Sequence, residues 1–151
     1  MLAVIQRVTS ASVTAGAYTS AIGPGLLVLV GVERGDAPAD VEFIARKVRE
    51  LRLFADPAAP RKEFDRSAAD LARDVMVVSQ FTLAADCRKG RRPSFDAAAP
   101  PAEAQPLYES LVRALEAAGV RVATGVFQAH MQVALVNDGP VTILLDSRRS
   151  A

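Results

Sequence analysis

The sequence predicts an α/β fold, with a mostly β, barrel-like core and two main flanking helices in a single domain. Three observations carry this expectation. Two apolar runs, Leu26–Val32 (LLVLVGV) and the VMVV core of Asp74–Ser79, are continuous instead of alternating, the pattern of strands buried on both faces. Two other segments repeat apolar residues at helical spacing. At 151 residues, half of them hydrophobic, the chain has material for one core, and no linker or internal repeat divides it.

Taken in order, Leu2–Thr14 alternates loosely and reads as a first strand. Gly16 begins a turn, and Tyr18–Ile22 reads as a second strand. Gly23-Pro24-Gly25 punctuates the chain before the buried run Leu26–Val32. From Pro38 to Leu53, Val41, Ile44, Ala45, Val48 and Leu51 share one helix face, while Arg46, Lys47, Arg49, Glu50 and Arg52 occupy the other. Pro57–Pro60 is a loop, and Asp74–Ser79 is a second buried strand. Ala84–Pro101, basic and then rich in Ala and Pro, reads as the longest loop. Pro106–Ala118 forms an amphipathic helix through Leu107, Leu111 and Leu115, ended by Gly119. Met131–Val136 and Val141–Leu145 read as two closing strands joined by the turn Asn137-Asp138-Gly139-Pro140. Their apolar character makes them a plausible site of self-association, and core burial would explain it equally.

Composition narrows the chemistry. A net charge of +1 gives no global case for nucleic-acid binding, so any such case rests on local clustering. One cysteine, Cys87, excludes an intrachain disulfide, and one histidine, His130, leaves a metal site to carboxylates that do not cluster. No metal or cofactor is expected. The N-terminus lacks a secretory pattern and no apolar run would span a bilayer, so the expected location is the cytoplasm, without membrane contact.

Patterns for a nucleophile elbow, a phosphate loop or a zinc-protease helix are absent. His130 is a candidate general base by its ordinary pKa, with a surface histidine as the plainer reading. Cys87 has no flagged partner base and reads as a bystander thiol. The more informative stretch is Ser79-Gln80-Phe81-Thr82-Leu83, which ends a buried strand in two hydroxyls, an amide and a ring. Strand ends are where a rigid element presents polar groups and backbone N–H groups to a ligand. Beyond it, Arg88, Lys89, Arg91 and Arg92 form a cationic cluster that could neutralise phosphates or merely be a solvated loop.

Together, AVIQRVTSASV, GPGLLVLVGVERGD, SQFTL, KGRRPSF and NDGPVT, in this order and nearly end to end, resemble the bacterial and eukaryotic type of D-aminoacyl-tRNA deacylase. The family commonly has a Gly-Ala-Asp-like stretch where this chain has Gln128-Ala129-His130. The resemblance implies hydrolysis of the ester between a D-amino acid and the 3′ end of tRNA. It implies backbone N–H groups around Phe81 and Thr82 as the oxyanion site, shaped by Ser79 and Gln80, with Thr82 as covalent nucleophile the competing mechanism. It implies a homodimer in which a cis Gly139-Pro140 corner enters the partner's active site and excludes L-residues by clash, leaving glycyl-tRNA a possible unintended substrate. Arg7 and Asn137 would support that corner, and Arg88, Lys89, Arg91 and Arg92 would hold tRNA. The rival readings are a non-catalytic tRNA-binding or editing-accessory module and a general esterase for small substrates.

Overall fold

The computed structural model describes residues 1–150, the side chain of Ser150 excepted. Along the chain run β1 (Leu2–Ala15), β2 (Tyr18–Ile22), β3 (Gly25–Gly31), α1 (Pro38–Glu50), β4 (Arg52–Phe54), β5 (Arg66–Ser67), β6 (Asp74–Ser79), a 3₁₀ turn (Phe81–Ala84), α2 (Pro101–Ala117), β7 (Val122–Thr124), β8 (Gln132–Asp146) and a last 3₁₀ turn (Ser147–Ser150). The expected α/β architecture is present, with a six-stranded sheet and two main helices.

The sheet is mixed. β1 pairs antiparallel with β2, β3 and β8, whereas β3, β6 and β7 run parallel. Parallel neighbours require long crossovers, and α1 and α2 lie in those two connections. The helices cover one face of the sheet. There Ile5, Leu26, Val28, Val30, Val75 and Val77 pack with Val41, Ile44, Val48, Leu111 and Leu115. Alternate residues of the same strands, Leu27, Met76 and Val78, point to the other face and meet Val8, Ala11, Val13 and Ile22 in a second cluster. Two filled faces explain why β3 and β6 are apolar without alternation. The C-terminal half of β1, with β2, closes over that second cluster, and the Tyr18 hydroxyl donates to the Thr124 carbonyl at 2.9 Å, tying β2 to β7. This curl gives the barrel-like shape.

Several boundaries differ from the sequence reading. The first helix stops at Glu50, because Leu51 turns extended and Arg52–Phe54 pairs with Arg66–Ser67 as a small second sheet. The second helix begins at Pro101, not Pro106. Pro101 occupies the first turn, where no N–H is needed, and Pro106 lies within the helix. The hydrogen bond lost at Pro106 is outweighed by the burial of Ala104, Tyr108, Leu111 and Leu115 along one face. The two expected closing strands are one strand, β8, paired with β1 from Gln132 to Asp146. Asn137–Pro140 is therefore not a hairpin turn but an irregularity within β8, opposite register shifts at Gln6/Val8 and Val8/Ser10 of β1.

Candidate active site

Ser79 ends β6 beside Val30 of β3, and the Gln80 N–H donates to the Val30 carbonyl at 2.7 Å. The chain then leaves the sheet in the 3₁₀ turn Phe81–Ala84, closed by Leu83 N–H to Gln80 O and Ala85 N–H to Thr82 O. Gly31 makes room for this turn. A Cβ there would lie 3.0 Å from both the Gln80 carbonyl oxygen and the Leu83 Cβ. The Gln80 amide donates to the Thr82 hydroxyl, which ties the two polar side chains to each other. Among the described residues nothing accepts from the backbone N–H groups of Phe81 and Thr82, the donors that the start of such a turn leaves over.

A cavity of about 520 Å³ opens beside Ser79, Gln80 and Phe81. Its walls are mainly apolar, from Val30, Val78, Ala104, Tyr108, Phe127 and Met131, and Gln128 and His130 stand exposed among its lining residues. The Tyr108 hydroxyl is buried and donates to the Val77 carbonyl at 2.9 Å. Burial pushes its pKa far up, so it stays a neutral donor and is no candidate base. His130 has no hydrogen bond or ion pair, and Cys87 is exposed without a partner base among the described residues. No group of three His, Cys, Asp or Glu gathers as a metal site among those residues.

The corner at Gly139-Pro140 is held from two sides. Within β8, the Asn137 side chain accepts from the Val141 N–H at 2.8 Å and donates to the Val141 carbonyl at 3.2 Å, so it substitutes for a strand neighbour across the irregularity. From β1, the largely buried Arg7 donates through Nε to the Asp138 carbonyl at 2.9 Å and through Nη1 to the Leu53 carbonyl at 2.7 Å. The Gly139-Pro140 peptide is cis, and Gly139 has φ +145°, a conformation open to glycine. A Cβ at Gly139 would lie 2.8 Å from the Val141 backbone nitrogen.

The corner and the turn do not meet in one chain. Ser79 aligns through Val30 and Ala3 with Leu145, five residues beyond Pro140 on β8. At about 3.3 Å per residue and about 4.8 Å per strand spacing, the two lie on the order of 20 Å apart. Neither Gly139 nor Pro140 lines the cavity.

The cationic cluster sits on a hairpin loop closed by paired backbone bonds between Asp86 and Ser94. Arg88 is engaged inside it. Its guanidinium and backbone N–H both donate to Asp86, which holds that carboxyl down at about 2. Lys89, Arg91 and Arg92 have no ion pair among the described residues and remain available. Sequence reasoning passed over Tyr108 and Phe127, which wall the cavity; the spacing Ala104–Tyr108–Leu111–Leu115 carried the signal for the first.

The family model for D-Tyr-tRNA(Tyr) deacylase matches residues 4–146. This chain belongs to that family. A D-aminoacyl-tRNA deacylase of Thermomicrobium roseum is 57% identical over 148 residues, covering 97% of this chain and 94% of its own length. One of Heliobacterium modesticaldum is 52% identical, covering 98% and 97%. Among solved structures, a c-Myc DNA unwinding element binding protein superposes with a TM-score of 0.89 at 41% identity, covering 97% of this chain and 98% of that one. A probable eukaryotic D-amino acid tRNA deacylase shares the fold, with a TM-score of 0.82 at 16% identity over 95% and 97% of the two chains. The family is one of hydrolases.

Proposed function

We propose that this chain hydrolyses the ester of D-aminoacyl-tRNA, and of glycyl-tRNA, as a cytoplasmic homodimer. The observation that carries the reading is the pair of unpartnered N–H groups at Phe81 and Thr82 beside an apolar cavity. Two such donors, fixed by a short turn on a rigid strand end, suit the oxygen that becomes negative when water adds to the ester carbonyl. The tetrahedral centre collapses by expelling the ribose oxygen, which takes up a proton, and free amino acid and tRNA leave. An aminoacyl ester is already activated, so positioning and oxyanion stabilisation suffice, with the neighbouring ribose 2′-hydroxyl assisting the water. That agrees with a His130 that has no hydrogen bond, and with a Thr82 hydroxyl bonded by the Gln80 amide and by no titratable group among the described residues.

In this reading Gly139-Pro140 comes from a second copy. The separation of corner and turn within one chain supports it, and so does β8. Among the described residues that strand pairs β1 alone, leaving one edge open, and exposes Leu135, Val136 and Leu144. Open apolar edges are what self-association covers. At the turn, the corner's backbone faces the substrate's α-carbon on the side where an L-residue carries its side chain. D-residues and glycine present nothing there. Arg7 and Asn137 hold the corner, and Lys89, Arg91 and Arg92 meet phosphates.

The test is release of amino acid from matched D-tyrosyl- and L-tyrosyl-tRNA, with Thr82→Ala alongside. Release from the D ester alone, retained within about tenfold in Thr82→Ala, is expected for backbone stabilisation. Complete loss in a folded Thr82→Ala protein would move the mechanism to a covalent threonine. Tight binding of D-aminoacyl-tRNA without release by the parent protein would make it a binding module.

A further inference from the structure

Two of the chain's six phenylalanines touch each other at the surface. Phe81 is 59% exposed and Phe95 is 38% exposed, with ring centroids 5.1 Å apart at 69°. An edge-to-face pair leaves ring face uncovered, and nothing in the described chain packs over it as a third ring. Phe81 lines the cavity. Phe95 directly follows the hairpin loop that carries Lys89, Arg91 and Arg92. Its backbone is fixed, since its carbonyl accepts from the Ala98 N–H at 3.0 Å and Arg34 donates to the next carbonyl, Asp96 O, at 2.8 Å. The rings therefore stand at one place, between a cavity and a group of uncommitted cations.

We propose that the Phe81–Phe95 pair is a stacking platform for an unpaired nucleobase of the tRNA 3′ end, next to the nucleotide at the cavity. The inference rests on the reading above that the substrate is an aminoacyl-tRNA. Single-stranded RNA is held by this combination of surfaces: cations follow the phosphates, and exposed aromatic faces take bases without regard to sequence. The 3′ end common to acceptor RNAs requires that kind of contact, because a deacylase that serves several amino acids has no single anticodon or stem to read. An apolar protein partner would match the rings and leave the neighbouring cations unmatched. Phe81 thus has two parts with separate tasks, a backbone N–H for the ester oxygen and a ring for a base. Phe95 acts on binding alone.

Phe95→Leu keeps apolar bulk and removes the aromatic face. Phe95→Trp keeps a face and introduces the chain's only tryptophan, whose fluorescence reports stacking directly. For D-tyrosyl-tRNA, Phe95→Leu is expected to raise KM roughly 5- to 150-fold, the range for losing one stacked base, with kcat moving far less. Phe95→Trp is expected to restore KM and to be quenched saturably by uncharged tRNA and by a short oligoribonucleotide ending in CCA. A parental KM in Phe95→Leu, together with Phe95→Trp emission unmoved by saturating tRNA in an active enzyme, overturns the platform and leaves the deacylase reading standing. Emission that follows protein concentration instead of RNA overturns it in favour of a contact between two copies. If the parent releases nothing from D-tyrosyl-tRNA, the substrate reading fails, and the platform for that substrate fails with it.

Discussion

Arg7 is the best single place to separate what holds the fold from what selects the substrate. Its side chain is 11% exposed and joins β1 to two carbonyls, Leu53 O at 2.7 Å and Asp138 O at 2.9 Å, with the Asp138 carboxylate 3.5 Å from Nε. Each charge-assisted bond contributes about 1.5–3 kcal/mol, so Arg7→Ala, which removes two, should destabilise the chain by about 3–6 kcal/mol. That is a large part of an ordinary domain's stability, about 5–15 kcal/mol. Arg7→Lys is the sharper variant. It keeps the charge, but a single ammonium cannot span both carbonyls as the planar fork does. If it keeps Leu53 and releases Asp138, the corner loses one bond of about 1.5–3 kcal/mol. Should that energy hold Gly139-Pro140 against the push of an L side chain, the D-over-L ratio of kcat/KM falls roughly 10- to 100-fold. The assay is amino-acid release from matched D- and L-tyrosyl-tRNA, with urea unfolding run on the same preparations. A variant that unfolds cooperatively, has lost stability and keeps the parental D-over-L ratio would refute the reasoning.

Three further outcomes follow from the geometry. Gly31→Ala places a Cβ 3.0 Å from Gln80 O and Leu83 Cβ, so the turn must shift by a few tenths of an ångström; kcat for D-tyrosyl-tRNA should fall at least about 10-fold while circular dichroism stays parental. Asp40, Asp56, Asp70 and Asp86 are all held below the usual 3.8, chiefly by hydrogen bonds from Ser147, the Ala58 N–H, the Ser67 N–H and Arg88 respectively. Depressed carboxylates contribute stability above their unfolded pKa and lose it as pH falls through the folded one, so urea midpoints should be level above about pH 5 and fall from about pH 4 towards pH 2. If the open edge of β8 is the proposed seam between two copies, Leu144→Asp, which puts a charge on a residue 77% exposed in one chain, should give monomers in sedimentation, with activity lost and secondary structure kept.

Much of the fold was legible because burial writes directly into residue pattern. Two filled faces made β3 and β6 continuously apolar, and one filled face made α1 amphipathic. What the pattern could not carry was long-range pairing. Asn-Asp-Gly-Pro has turn chemistry, yet Asn137 supplies the missing strand contacts with its own side chain and Arg7 reaches in from β1, so the strand continues. Arg52–Phe54 continued the helical period of α1, but its partner strand begins at Arg66. In the site, SQFTL marked the turn by its residues. The cavity beside it was hidden, since the walls that close it over β3 and β6 come from α2 and from Phe127–Met131, remote in sequence.

The placement of corner and turn permits a test that does not depend on any single variant. β6 carries the turn and β8 carries the corner, with β1 and β3 between them, so the sheet that makes each part rigid also keeps them apart. In a two-fold dimer that exchanges corners, each active site joins one chain's turn to the other's corner. A Gly31→Ala chain has a damaged turn and a sound corner, and an Arg7→Lys chain has the reverse. Each homodimer then lacks one sound part at both sites. Mixed and re-equilibrated in equal amounts, half the dimers are heterodimers, and one of their two sites joins the sound turn to the sound corner. Only a quarter of the sites then pair the sound turn with the loosened corner, so release from L-tyrosyl-tRNA should fall to about half the mean of the two variants while release from the D ester stays at that mean. If each chain built its site from its own residues, L release would stay at the mean of the two variants, and the exchange of corners would be refuted.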